Sequence, residues 1–254
     1  MEKKYILTEE TKEVGGHILH KIQAMRDFGG VQKEDLGGWV ESEENLSHDG
    51  TCWVYGNGQV YGNGKVSGNG KVFDNGRVFG DGRVSDNGWV FGDGKVYGNG
   101  EVYGNGKVYG NGQVYGNGRV FGDGWVSDNG WVFDNGRVFG DGRVYGNGQV
   151  YGNGEVFDNG WVSDNGEVYG SARIGVNGYI SSPRSYFVQG PIGSRNDFLT
   201  CYLDKDKKIY AVTGCFCGSI EVFVKKVKAV HGMNRWAKQY LKAAEMARVM
   251  LSGD

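Results

Sequence analysis

From Val54 to Ile180 an aliphatic residue falls at every sixth position, 22 times in succession, and the first 20 are valine. The repeated unit reads valine, then Tyr, Phe or Ser, then Gly or Asp, then Asn or Asp, then Gly, then one variable residue: VYGNGQ, VSGNGK, VFDNGR. Six is not a helical period, and glycine at this density would cost about 1 kcal/mol per residue in a helix. Around each valine the alternation is that of a strand: variable residue out, valine in, aromatic out. The Gly/Asp–Asn/Asp–Gly that follows is turn chemistry, since these residues accept left-handed backbone angles. Short strands joined by tight corners at a fixed period build a parallel solenoid.

Three hexads close a triangle of 18 residues. The chain therefore encodes an all-β solenoid, a triangular parallel β-helix of about seven to eight coils, about 34 Å long at the usual strand spacing. Each buried valine contributes about 1.5–3 kcal/mol. Glycine two positions before each valine keeps the interior narrow. A single coil buries little, so stability must come from stacking on neighbours. With 48 glycines but only 2 prolines, and no glycine at every third place, collagen is excluded. An aromatic content of 13% argues against disorder.

The hexads resemble those of the left-handed hexapeptide-repeat β-helix. They are closer to the YdcK-type β-solenoids of bacteria and phages, with glycine where those repeats carry alanine; only Gly170-Ser171-Ala172-Arg173-Ile174 keeps the alanine form. The lead-in Asp35-Leu36-Gly37-Gly38-Trp39-Val40, the stretch Glu44-Asn45-Leu46-Ser47 and the segment Gly190–Asn196 are also similar to that family, particularly its phage and prophage members. The resemblance implies a left-handed coil. The acyltransferase label carried by such proteins rests on fold analogy and assigns no activity here.

An open solenoid exposes strand edges at both ends, so caps are expected. Residues 1–45 are read as an N-terminal β cap with a hairpin around Gly15-Gly16, residues 46–186 as the hexapeptide-repeat β-helix, and residues 187–254 as an α+β C-terminal cap. In the last, Phe198–Leu203 and Ile209–Phe216 are expected strands, and Ser219–Val230 and Asn234–Leu251 expected helices. Net charge runs from −5 over residues 1–53 to +5 over residues 187–254, and sums to −2. The start, MEKKYILTEETKEV, lacks a signal peptide's apolar core, and four scattered cysteines read as reduced thiols, which together point to a soluble cytoplasmic protein, that of the bacterial host if phage-encoded.

Side chains 18 apart stack, so three columns can be written down. One runs Trp53, Lys71, Trp89, Lys107, Trp125, Arg143, Trp161, Tyr179, with a cation between successive tryptophans within cation–π reach. It reads either as a self-stabilising ladder left by duplication of a 36-residue unit or as a binding stripe for a partner protein or an extended ligand. A second, Tyr61, Phe79, Tyr97, Tyr115, Phe133, Tyr151 and Tyr169, is wholly aromatic and is the expected homo-oligomer interface. The third, Lys65, Arg83, Glu101, Arg119, Arg137, Glu155, Arg173, mixes signs, and the aspartates at the corners argue against nucleic-acid binding.

Catalytic chemistry is not apparent. All four histidines (His17, His20, His48, His231) lie outside the uniform repeats, whereas hexapeptide acyltransferases place a histidine on a coil. No enzyme, metal or cofactor is expected. The cap segment holds Gly190, Gly193, Ser194, Arg195 and Asn196, which could cradle an anion such as a nucleotide phosphate. The leading expectation is a non-catalytic phage- or prophage-type protein that binds a host or phage protein through its ladders and inhibits a host defence protein. Sequestration of an anionic small ligand at the C-terminal cap or a subunit interface is the alternative, and a divergent acyltransferase the third.

Overall fold

The computed structural model describes residues 3–252 as a β-solenoid of about eight turns, closed at one end by a hairpin and at the other by a small antiparallel sheet with two helices. Each rung is a two-residue strand made of the variable residue and its valine, such as Trp89–Val90 or Lys107–Val108. Rungs 18 residues apart pair in parallel and in register on three faces: Trp89 with Lys107, Lys95 with Gln113, Glu101 with Arg119. The triangular coil is therefore as the repeat demands. Backbone bonds run along the shaft from each rung to the next, as from the Phe91 amide to the Val108 carbonyl at 3.0 Å. Every valine from Val54 to Val168 is at most 1% exposed, so the core is one continuous column of stacked valines.

At each corner the backbone turns through left-handed space, with glycine or aspartate in that place; Asp74, Asp86, Asp128, Asp134, Asp158 and Asp164 all hold φ near 50°. Three of them compensate by accepting from the next coil: Asp74, Asp86 and Asp128 take the Gly92, Gly104 and Gly146 amides at 3.2–3.3 Å. The following position builds amide ladders that sequence reading treated only as turn residues. Asn99 donates to Asn117, Asn117 to Asn135 and Asn135 to Asn153, at 3.2–3.3 Å. Such ladders tie neighbouring coils at their outer edge, as in other in-register stacks.

The N-terminal hairpin, β1 (Tyr5–Val14) and β2 (His17–Ala24), passes through β3 (Leu36–Val40) onto one face of the shaft, making a sheet of ten strands. Val40 stacks beneath Val60 and Leu46 beneath Val66, so the first coil begins before the uniform repeats.

At the other end the sequence expectation needs two corrections. Tyr186–Ile192 is a strand, so Gly190, placed in a loop by sequence, lies within a sheet. The expected strand Ile209–Phe216 is broken by a turn at Gly214-Cys215 into Ile209–Thr213 and Phe216–Ser219, because Gly214 takes a φ of 54°. The four strands alternate their side chains between two cores. Tyr202 and Val212 seal the end of the valine column, while Leu199, Cys201 and Ala211 meet the helices. Those helices are α1 (Ile220–His231) and α2 (Arg235–Leu251), the second capped by Asn234, whose Oδ1 accepts from the Trp236 and Ala237 amides. Of the stripe Trp236, Tyr240, Ala244, Ala247 and Leu251 that helical spacing predicts, the last four are buried against the sheet, while Trp236 in the first turn stays half-buried outside the cluster. No helix among the described residues is long and apolar enough to cross a membrane.

Candidate functional site

Eight rungs, from Trp53–Val54 to Tyr179–Ile180, stack as one face and bring the predicted tryptophan column together. Trp89 lies between Lys71 at 5.6 Å and Lys107 at 5.1 Å, and Trp125 between Lys107 at 5.2 Å and Arg143 at 4.8 Å. Trp161 has Arg143 at 5.3 Å on one side and on the other Lys205 at 3.4 Å, reaching back from the C-terminal cap. Sequence reading missed Lys205, because nothing periodic places a cap turn over the last coils. Each indole also rests edge-on against an aromatic 16 residues earlier, Trp125 on Tyr109 at 6.3 Å and Trp161 on Tyr145 at 6.1 Å.

Trp53 is the exception. It occupies the column but is 1% exposed, covered by Phe28 and Tyr5 of the N-terminal cap at 5.3 and 6.1 Å. The expected partner contact at Trp53 is therefore corrected: it anchors the cap, and the half-buried, solvent-reaching part of the stripe begins at Lys71.

The mixed-charge column behaves differently. Glu101 pairs with Arg119 at 3.1 Å, and Glu155 is clasped between Arg137 and Arg173. Among the described residues the ion pairs of the uniform repeats all fall on this column, so the cations of the tryptophan stripe keep their charge unneutralised by neighbours. Exposed pairs of this kind add little stability, but they remove cationic character from their face.

The aromatic column is a face-to-face stack. Successive rings from Tyr61 to Tyr169 (Phe79, Tyr97, Tyr115, Phe133 and Tyr151 between them) are 4.8–5.3 Å apart and nearly parallel. His17 tops the stack at Tyr61, and Tyr186 closes it edge-on at Tyr169. The rings spend their faces on one another and turn only edges to water, so the apolar area on offer is smaller than a row of exposed rings suggests. Burial raises the hydroxyl pKa of Tyr61, Tyr97 and Tyr115; that of Tyr151, which also donates to Glu167 at 2.9 Å, is pushed up to about 12. Trp131 projects from the same face, 37% exposed, edge-on to Tyr115.

On the tryptophan face the aromatic row after each valine has missing members. Tyr109 and Tyr145 stand two coils apart with Ser127 between them. A notch of about 260 Å³ opens there, bounded by Trp125, Arg143 and Trp161. Two rung spacings leave about 9.6 Å between the flanking rings, the room one stacked ring would fill.

The five residues of the expected anion cradle lie in different surroundings. A side-chain carbon at Gly190 would sit 2.6 Å from the Phe198 ring, and one at Gly193 would strike the Tyr240 hydroxyl, so both glycines serve packing. The Gly193 amide already donates to Gln239 Oε1 at 2.9 Å. Asn196 takes a left-handed turn conformation, with φ of 53°. Ser194 and Arg195 alone of the five face a cavity, together with residues of α1 and the Thr213–Phe216 turn.

Comparison with protein-family models finds no match for the chain, and comparison with curated proteins finds none either.

Proposed function

We propose that the protein is a non-catalytic, phage- or prophage-type member of the YdcK-like β-solenoids that grips an acidic, aromatic-bearing segment of a partner protein along Lys71–Trp89–Lys107–Trp125–Arg143–Trp161. The observation that carries this is the stripe itself: alternating indoles and cations, none of those cations in an ion pair with a carboxylate among the described residues, whereas Glu101 and Glu155 pair with the arginines of another column. Aromatic and arginine side chains in a row are the residue types that dominate protein interfaces. The notch at Ser127 supplies a pocket for an aromatic anchor from the partner. A rigid shaft of this kind acts by occlusion, and a host defence protein is the target that the phage-type resemblance suggests. Self-association through the Tyr61–Tyr169 stack belongs to the same reading and would present two stripes.

The test is capture of the partner from the native host with the wild-type chain, compared with two variants. Trp89→Ser combined with Trp125→Ser is expected to weaken capture by at least tenfold while circular dichroism stays unchanged, since two hot-spot side chains of this type carry roughly 2 kcal/mol or more each. Ser127→Tyr is expected to weaken it as well while raising thermal stability, by completing the ring stack at about 0.5–1.5 kcal/mol. Undiminished capture by the double variant would end the proposal.

A further inference from the structure

The C-terminal cap holds a second concave site that the stripe does not use. Between the Gly193–Asn196 turn, the Thr213–Phe216 turn and one side of the helix pair lies an open cavity of about 230 Å³. Its floor is apolar. Phe216 and Phe223 meet at 5.4 Å, and Phe223 stands edge-on to Tyr240 at 5.7 Å. Val230 lines the mouth and is 67% exposed, an aliphatic side chain left in water beside an otherwise buried cluster.

The rim is cationic. Arg195 from the Gly193–Asn196 turn and Lys226 and His231 from α1 converge on the same opening, Lys226 Nζ lying 5.4 Å from the Phe216 ring centre. None of the three is committed to a carboxylate: the described ion pairs of this cap are Lys208 with Asp206 and Arg248 with Glu221. The nearest acid, Asp197, is engaged by the backbone, its two oxygens accepting from the Phe198 and Gly214 amides at 2.8 and 3.2 Å. Three basic groups held at the edge of an apolar hollow, in a segment of net charge +5, attract and orient a negative group. They also offer it charge-assisted hydrogen bonds.

We propose that this cavity binds a small organic anion, a carboxylate, sulfonate or phosphate carried on a flat apolar body. The body lies over Phe216 and Phe223, and the acid group meets Arg195, Lys226 and His231. The volume is of the size of a fused-ring system with its acid group at the open rim. Cys215, exposed on the same wall with its sulfur 4.0 Å from Arg195 Nη1, is a built-in reporter of occupancy. This site is separate from the tryptophan stripe and stands or falls without it.

The experiment uses the full chain and two dyes that differ by one acid group, anilinonaphthalene sulfonate and the uncharged N-phenylnaphthylamine. Fluorescence titration is expected to give one sulfonate site per chain, with the neutral dye, Arg195→Ala and Lys226→Ala each weaker by about tenfold. Lys226 is exposed on α1, so that variant keeps its fold whatever Arg195→Ala does. Saturating sulfonate is expected to slow alkylation of Cys215 by iodoacetamide several-fold, read by peptide mass spectrometry. Failure to bind the sulfonate dye overturns the proposal. So does binding that leaves Cys215 open or ignores Lys226→Ala, which would place the dye on the exposed Met246, Val249 and Met250 face of α2.

Discussion

Gly118→Ala is expected to destabilise the shaft by about 3 kcal/mol or more, a large effect for one added methyl group. The backbone angles at Gly118 are ordinary, so the objection is spatial. The new carbon would stand 2.4 Å from the Val132 carbonyl oxygen of the next coil. That carbonyl cannot retreat, because it accepts from the Tyr115 amide at 3.0 Å and belongs to a residue with no exposure. The one alanine at an equivalent place, Ala172, sits in the last coil of its face, where no further rung stacks above it. A shaft with alanine at every rung can open evenly, whereas a single alanine among glycines must wedge one coil from the next. Gly98→Asp is the matched control. It falls at a left-handed corner of the column in which Asp134 already occupies the same place, and is expected to shift stability by less than about 1 kcal/mol. Urea unfolding of the two variants separates the effects; equal midpoints would show that the coils are not packed as closely as described.

Alkaline pH is expected to unfold the protein steeply. Tyr5, Tyr202 and Cys201 are wholly buried, and burial raises the pKa of each, Cys201 to about 12. The folded chain therefore keeps these protons above pH 10, where the unfolded chain has released them. Stability is fully present below the unfolded values and is lost as pH rises toward the folded ones. Three such groups give a slope of about 4 kcal/mol per pH unit. The stacked tyrosines add in the same direction, at a discount for their contact with water. Lys4 opposes the trend. Its ammonium is buried against the Cys52 carbonyl at 3.0 Å, and desolvation lowers its pKa, so raising the pH relieves a penalty. Lys12, its pKa lowered by partial burial, opposes the trend too, and two lysines do not offset the larger set of buried tyrosines and cysteines. Melting temperature followed from pH 8 to 12 alongside tyrosinate absorbance checks this, and Tyr202→Phe, which loses only long contacts to Val176 and Cys217, is expected to flatten the slope. Equal melting temperatures at pH 8 and 11 would refute the account.

The shaft was legible because one rule, six residues to a rung and three rungs to a coil, fixes every side chain's neighbours. That rule placed Lys107 between Trp89 and Trp125 and stacked the Tyr61–Tyr169 rings without any knowledge of the caps. The same arithmetic applied to the corners would have revealed the Asn99–Asn153 ladder; the signal was present in the repeat. What could not be read lies where periodicity stops. Trp53 disappears beneath Phe28 and Tyr5, residues with no repeating relation to it. The basic cavity joins Arg195 to Lys226 and His231 across strand order that no period encodes, so sequence named only the loop that supplies one of its walls.

The in-register corners carry an evolutionary arithmetic. Gain or loss of one complete coil leaves every remaining side chain above its old partner, and a double coil preserves the tryptophan–cation alternation too. An insertion of a single hexad would rotate everything beyond it by a third of a turn, scattering the indoles onto a neighbouring face while the valine core survived intact. Relatives of different length should therefore differ in steps of whole turns, and a lineage that broke this quantisation would keep a sound shaft and lose the continuity of its tryptophan column.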